Sequence, residues 1–254
     1  MGAEPVLGSS SRASRLTFGQ PLQRYPFLAS TQIRARELAE QGAPEGTTVV
    51  AGEQTAGRGR LGSSFLSPPG GLYLSIVLRP SLPSAEIPLI GLAAGAAVSE
   101  TIEDQSGLRP VLKWPNDVLV GGRKVSGLLV ELIPPGIAIL GLGVNVNAAP
   151  PDLQATAASL AAEAGRELAL EPFMTALLFR LEARYGRLLA DPASAISGWC
   201  DRPNMLGQKV RIATAADVFE GNAEGLDRDG ALLVRLPVGD LRRVVAAEVH
   251  LLPR

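Results

Sequence analysis

Cys200 and His250 are the only cysteine and the only histidine in this 254-residue chain. A lone cysteine excludes an intrachain disulfide and a cysteine-rich zinc site. A lone histidine near the C-terminus leaves almost no room for a His-rich metal site, a Ser–His–Asp triad or a Cys–His pair. Lysine is nearly as scarce: of 24 basic residues only Lys113, Lys124 and Lys209 are lysine, and arginine fills every other basic position. Each lysine is a compact point charge used where a planar fork was the habit, so each asks for a local reason. The net charge of −1 argues against wholesale attraction to nucleic acid or to an anionic membrane. No apolar run is long enough to span a bilayer; the best, residues 128–146, is interrupted by Glu131, Pro134 and Pro135. The N-terminus has no basic start followed by an apolar run, and Val6 stands where a myristoylation motif needs Ser or Thr. These absences predict a cytoplasmic protein whose chemistry runs on Arg, Lys, Asp, Glu, Asn, Gln and backbone amides.

What the chain does have is apolar mass and turns. Hydrophobic residues make up 46%, enough for a well-developed core, and 28 Gly with 20 Pro predict many tight turns between short elements. Residues 1 to 22 read as a loose tail. A helix is expected from Thr31 to Gln41, capped by Ser30 or Thr31 and closed by Gly42. The run Thr47 to Gly52 reads as a buried strand that empties into a polar loop, Glu53 to Gly62. A strand follows at residues 72–80, then a closely packed helix rich in Ala and Gly from Ile87 to Ile102. Three strand-like runs come next, VLKW, KVSGLLVELI and IAILGLGVNV, with turns at Gly121-Gly122 and Pro134-Pro135-Gly136. Apolar residues at helical spacing predict a helix from Pro172 to Ala190, with Trp199 near its end. From Leu206 the texture changes to short strands parted by turns, as in a small barrel appended to an α/β domain.

Four segments carry polar chemistry. Gln54-Thr-Ala-Gly57-Arg58-Gly59-Arg60-Leu-Gly62 lets the backbone approach a ligand closely and offers two guanidinium forks to carboxylate or phosphate oxygens. It is neither a Walker loop nor a dinucleotide fingerprint. Leu112-Lys113-Trp114-Pro115-Asn116-Asp117 makes a rigid polar corner at a strand end; taken alone, it is an ordinary Asn/Asp turn. In the strand Arg123 to Glu131, alternation puts Lys124, Ser126, Leu128 and Val130 on one face, with Lys124 entering directly from the Gly121-Gly122 turn. Gly141 and Gly143, in a strand that ends at Asn145 and Asn147, permit close approach of a ligand or of another backbone.

Taken in order and at these spacings, Ser30-Thr31-Gln32, Gly57-Arg58-Gly59-Arg60-Leu-Gly62, Ser67-Pro-Pro-Gly70-Gly71-Leu-Tyr73-Leu-Ser75, Lys113-Trp114-Pro115-Asn116-Asp117, Lys124-Val-Ser-Gly127-Leu-Leu-Val-Glu131 and Gly141-Leu-Gly-Val-Asn145 resemble the biotin–protein ligase family. The resemblance runs from about Ser30 to the C-terminus. It implies an α+β fold: a mixed sheet backed by helices, related to class II aminoacyl-tRNA synthetases, followed by an SH3-like β-barrel. The domains it implies are a tail at 1–22, a catalytic domain at 23–203 and the barrel at 204–254.

The resemblance also implies an activity and a site. Biotin would be adenylated with ATP and Mg²⁺ to biotinyl-5′-AMP, then transferred to a lysine of a biotin carboxyl carrier protein. Biotin recognition falls on Ser30, Thr31, Gln32, Gln54, Arg58, Gly59, Arg60 and Lys124. ATP contacts fall on Arg58, Arg60, Phe65, Lys113, Asn116 and Asn145, with Phe65 stacking on adenine. Lys124 and Arg58 are the catalytic pair, Lys124 matching the lysine that touches both the biotin carboxylate and the phosphate. Gln32 departs from the usual Asn, Ser63 and Ser64 replace basic residues common after the loop, and Phe65 stands where tryptophan is common. Too few residues precede Ser30 for a winged-helix domain, so a ligase without repressor duty is expected. Neither nucleic acid nor membrane is an expected partner, and a homodimer is left open. Deleting the segment from Leu206 onward is expected to spare the pocket yet impair transfer to the carrier. Two rival readings stand beside this one: a lipoate–protein ligase or octanoyl transferase of the same fold, and a non-catalytic module binding biotin or a nucleotide.

Overall fold

The computed structural model describes residues 18–252, so most of the expected tail, residues 1–17, lies outside the described residues. The remainder of that stretch is built into the fold: Phe18 is buried against Tyr185, and Leu22 opens the first strand.

The main sheet has seven strands. In chain order they are β1 (Leu22–Tyr25), β2 (Thr48–Ala51), β3 (Leu72–Leu78), β4 (Val111–Lys113), β5 (Asp117–Val120), β6 (Arg123–Ile133) and β7 (Ile137–Val144). They lie side by side as β1-β2-β3-β7-β6-β5-β4, with β1 parallel to β2 and every other neighbour antiparallel, which makes the sheet mixed as expected. Helix α1 (Thr31–Glu40) packs on β2, β3 and β7 from one face. Helix α2 (Leu89–Ser106) covers the other, backed by α3 (Leu160–Ala164), α4 (Leu170–Ala190) and α5 (Ala193–Cys200).

Local chemistry explains these boundaries. The Ser30 side chain accepts a hydrogen bond from the Gln32 N–H at the start of α1, filling one of the donors a helix leaves open there. Helix α2 runs a turn past its expected end because Gly107, in the left-handed region at φ 74°, is what closes it. It is apolar enough to cross a membrane by composition, and buried on nearly all sides between the sheet and α4 and α5, it reads as a core helix. Trp199 belongs to α5, a separate helix that starts after the break at Pro192.

A second sheet follows, five-stranded, antiparallel and barrel-like: β8 (Lys209–Ala213), β9 (Val218–Leu226), β10 (Leu232–Arg235), β11 (Leu241–Val244) and β12 (Glu248–Leu251), ordered β11-β10-β9-β8-β12. It is not a bead on a string. Val210, Ile212, Leu232, Val234 and Val249 belong to the same hydrophobic cluster as Leu89, Leu92, Leu112 and Trp114 of the main body. The Trp114 indole N–H donates to the Gly230 carbonyl at 2.9 Å, and Leu112 exchanges backbone hydrogen bonds with Pro203 and Met205.

One expectation about β6 fails in an informative way. The pairing with β5 shifts between Val118 and Leu119, so that Ser126 lies opposite Val118 while Lys124 lies opposite Leu119. Val125 is thus an extra residue, a bulge, and it turns Lys124 over. Lys124 leaves the face of Ser126, Leu128 and Val130 and joins that of Gly127: a side chain on Gly127 would meet the Lys124 ammonium at 3.0 Å.

Candidate active site

The face of the sheet shared with α1 carries a cleft of about 370 Å³. Its floor is glycine. Gly127 of β6 lies opposite Gly143 of β7, and Gly141 lies opposite Ser75 of β3. Each glycine makes room for a neighbour: a Cβ on Gly141 would come within 2.4 Å of Gln32 Oε1, and one on Gly143 within 2.3 Å of the Phe65 ring.

One end of the cleft is neutral and closely hydrogen-bonded. The Thr31 N–H and hydroxyl both approach Gln54 Oε1, at 2.8 and 3.0 Å, and the Thr31 and Ser75 hydroxyls are 2.9 Å apart. The Ser75 hydroxyl donates to Gln32 Oε1 at 3.0 Å, and Gln32 Nε2 donates to the Ile139 carbonyl at 3.2 Å. Gln54 Nε2 donates to Ser67 Oγ at 2.8 Å. The two hydroxyl protons can serve only two of the three contacts that Thr31 and Ser75 make, so oxygen lone pairs are left to accept from a ligand N–H. Above this end the Phe65 ring packs edge-on to Tyr73 at 6.3 Å. Burial raises the Tyr73 phenol above its ordinary range, and its hydroxyl donates to the Pro68 carbonyl at 2.6 Å.

The other end is cationic. Gly57 to Phe65 forms a hairpin, closed by hydrogen bonds from Gly59 N–H to the Ser63 carbonyl and from Phe65 N–H to the Gly57 carbonyl. It hangs Arg58 and Arg60 over the cleft. Arg58 sits 3.5 Å from Glu131 on β6. Arg60 donates to Asn116 Oδ1 at 3.3 Å, while Asn116 Nδ2 donates to the Leu128 carbonyl at 2.8 Å, so Asn116 braces Arg60 against β6. Burial pulls the Arg60 guanidinium below its ordinary pKa, and the nearby Asp117 carboxylate pushes it back up. Lys124 Nζ lies 2.6 Å from Asp117 Oδ1 and 5.7 Å from the Phe65 ring centre, and Lys113 Nζ lies 3.8 Å from Asp117 Oδ2. The Lys124 backbone is pinned on both sides, its N–H donating to the Thr156 carbonyl and its carbonyl accepting from Ala158 N–H.

Of the residues expected from sequence, Ser30, Thr31, Gln32, Gln54, Arg58, Gly59, Arg60, Phe65, Lys113, Asn116 and Lys124 all line this cleft. Asn145 does not. It is buried behind the β7 end with Nδ2 on the Ala158 carbonyl, and its Oδ1 makes no hydrogen bond among the described residues. Other contributors were missed. Ser75 had a readable signal, a serine in the middle of an apolar strand. Asp117 belongs to the corner motif, but nothing in sequence tells which charge it faces. Ala247, Glu248 and Val249 come from β12 and its lead-in and line the same cleft, without any sequence signal. The cleft is therefore not confined to the main body, contrary to the expectation that deleting Leu206 onward would spare the pocket.

The cleft joins a neutral hydrogen-bonding pocket to a cluster of cations on a mixed sheet with an appended small sheet, and the chain is similar to known proteins in sequence and fold. A family model described as the Biotin/lipoate A/B protein ligase family matches residues 25–147, which sets the class. A second, the Biotin protein ligase C terminal domain, matches residues 205–252. The chain belongs to the biotin–protein ligase family. It is 36% identical over 243 residues to the bifunctional ligase/repressor BirA of Bacillus subtilis, across 92% of this chain and 74% of that one. It is 34% identical over 234 residues to the biotin–[acetyl-CoA-carboxylase] ligase of Paracoccus denitrificans, across 87% of this chain and 96% of the other. The biotin protein ligase of Aquifex aeolicus, solved in complex with biotin and ATP, matches with a TM-score of 0.78 at 30% identity, over 92% of this chain and 99% of that one.

Proposed function

We propose that this chain activates biotin with ATP to biotinyl-5′-AMP and transfers the biotinyl group to a lysine of a biotin carboxyl carrier protein or domain. The observation that carries the reading is the polarity of the cleft: a neutral network of Thr31, Gln54, Ser75 and Gln32 at one end, four cations at the other. The ureido ring of biotin presents two N–H donors and a carbonyl, which suits the free lone pairs of the neutral end and the Ser30 hydroxyl beside it. Its valeryl chain then lies over Gly127 and Leu129, and its carboxylate reaches the cations.

The chemistry follows from charge. A biotin carboxylate oxygen attacks the α-phosphorus of ATP, an acyl–phosphate bond forms, and pyrophosphate leaves. Two anions must meet for this, and Arg58, Arg60, Lys113 and Lys124 offset their repulsion and the charge building on the phosphoryl oxygens. Lys124, a point charge, bridges carboxylate and phosphate where a forked guanidinium would crowd them. Phe65 is the ring available for adenine. Asn145, buried behind β7, serves the nucleotide by holding the Ala158 carbonyl and so the backbone beside Lys124. In the second step the carrier lysine nitrogen attacks the acyl carbon and AMP leaves. The Gly57–Phe65 hairpin shields the adenylate from water meanwhile.

Mg²⁺ arrives with ATP as part of the substrate. It is carried largely by the triphosphate oxygens rather than by a cage of protein ligands. The setting is cytoplasmic, with no role for nucleic acid or membrane in the reaction, and sedimentation decides between monomer and homodimer.

ATP–pyrophosphate exchange by the purified protein, with biotin, lipoate, octanoate or no acid, tests the reading. Exchange with biotin alone is expected. Exchange with lipoate or octanoate instead would move the chain to the sister activity, and no exchange with any of the acids would make the cleft a binding site only.

A further inference from the structure

We infer that Asp117 is a positioning residue for Lys124, holding its ammonium over the glycine floor where carboxylate and phosphate are to meet. The inference rests on the proposed biotin activation and adds a residue to it.

The backbone of Lys124 is fixed by the bulge at Val125 and by hydrogen bonds to Thr156 and Ala158, but four rotatable bonds separate that backbone from the charge. Backbone geometry alone therefore leaves the ammonium free to sweep an arc several ångströms wide. What fixes it is Asp117 Oδ1 at 2.6 Å. Asp117 is itself well placed: it opens β5 directly opposite Gly127 on β6, and its side chain is 18% exposed against 34% for Lys124. Because Gly127 has no side chain, the Lys124 stem lies flat on the floor, and any Cβ there would sit 3.0 Å from both Cε and Nζ. Among the described residues Asp117 Oδ1 has no polar partner besides this ion pair, so its geometry is not committed to holding the turn.

The second oxygen faces Lys113 at 3.8 Å, and Arg60 feels the same carboxylate. Asp117 is thus the shared counter-charge of three cations. When an anionic ligand arrives, Lys124 turns part of its coordination to the ligand while Lys113 keeps Asp117 balanced. The carboxylate then supplies direction to Lys124 without being left uncompensated.

This arrangement makes two effects of removing the charge separable. In Asp117→Asn the ammonium loses its tether, and a misplacement of about 1 Å at a reacting centre costs on the order of a hundredfold in rate. The same change removes a negative charge from a site that must bind triphosphate, so ATP binding does not weaken. A residue that merely supports the fold would lower turnover and raise both KM values together.

The experiment is biotin-dependent ATP–pyrophosphate exchange by the full chain, with thermal unfolding measured alongside, on wild type, Asp117→Asn and Asp117→Glu. Expected for D117N are a kcat ten- to a hundredfold lower, a KM for ATP equal or lower, a KM for biotin within threefold, and an unchanged Tm. D117E, with its charge kept on a longer arm, recovers most of the kcat. Wild-type kcat in D117N overturns the inference. So does a D117N protein that melts early or loses affinity for both substrates, which would give Asp117 a structural part, and so does a D117E no better than D117N. Wild type without biotin-dependent exchange would instead sink the reading of the site as a biotin-activating one.

Discussion

At the scale of single residues, the site is an exercise in holding like charges together without letting them pair away. Arg58, Arg60, Lys113 and Lys124 converge on one cleft, and each has a partner that orients it while leaving it partly exposed: Glu131, Asn116 and Asp117. The Arg58 and Lys124 side chains keep 45% and 34% of their surface exposed, and ion pairs made by cations that open to water contribute little to stability, about 0–1 kcal/mol each, so the geometry serves placement. Lys124→Ala should therefore fold with an almost unchanged Tm. The variant removes the one point charge proposed to touch both carboxylate and phosphate, and loss of a preorganised group of that kind costs ~3 kcal/mol or more, about a hundredfold in rate. Exchange measured in the presence of biotin should fall by at least that factor. A variant exchanging at the wild-type rate would remove Lys124 from the mechanism.

At the scale of elements, the neutral end of the cleft is made by where strands put their glycines. Gly141→Ala places a methyl 2.4 Å from Gln32 Oε1, well inside contact distance, and β7 is held on both sides by β3 and β6, so Gln32 must give way. The Ser75–Gln32 hydrogen bond then breaks, a net loss of about 1 kcal/mol, and the pocket for a ring loses volume. Expected is a biotin KM raised roughly tenfold or more at an unchanged KM for ATP, read from exchange kinetics; an unchanged biotin KM would place the biotin ring elsewhere. The elements explain what was legible in the sequence. Long apolar strands and the α1 cap were readable because period and capping are local. Strand β5 was not, since four residues between a corner and a Gly-Gly turn carry no period. The bulge at Val125 was invisible for a different reason: it is a property of the pairing between two strands, and simple alternation put Lys124 on the wrong face. Asn145 belonged to a motif whose glycines do line the cleft, and only strand alternation past Val144, together with the 156–158 segment, decides that its amide is spent on the Ala158 carbonyl.

At the scale of the whole molecule, the question is whether the terminal sheet is a separate module. Its strands alternate cleanly, and its composition sets it apart, which is why it reads as an independent barrel in sequence. Packing says otherwise. Leu112, Trp114 and Met205 are each at most 2% exposed and lie where the two parts meet, and the Gly230 turn presses on Leu89 and Leu92 of α2. Returning one large apolar side chain to water costs roughly 1.5–3 kcal/mol, so uncovering several of them approaches the ~5–15 kcal/mol that holds a domain folded. Ala247, Glu248 and Val249 would also leave the cleft wall. Deleting Leu206 onward should therefore do more than impair carrier transfer: the remaining chain should melt at a clearly lower temperature and lose biotin-dependent exchange. By the same reasoning the intact protein, with one hydrophobic cluster running through both sheets, should unfold in a single calorimetric transition. Two resolved transitions, or a truncated chain that exchanges pyrophosphate at the full rate, would show that the contact through Trp114 joins two bodies already stable apart.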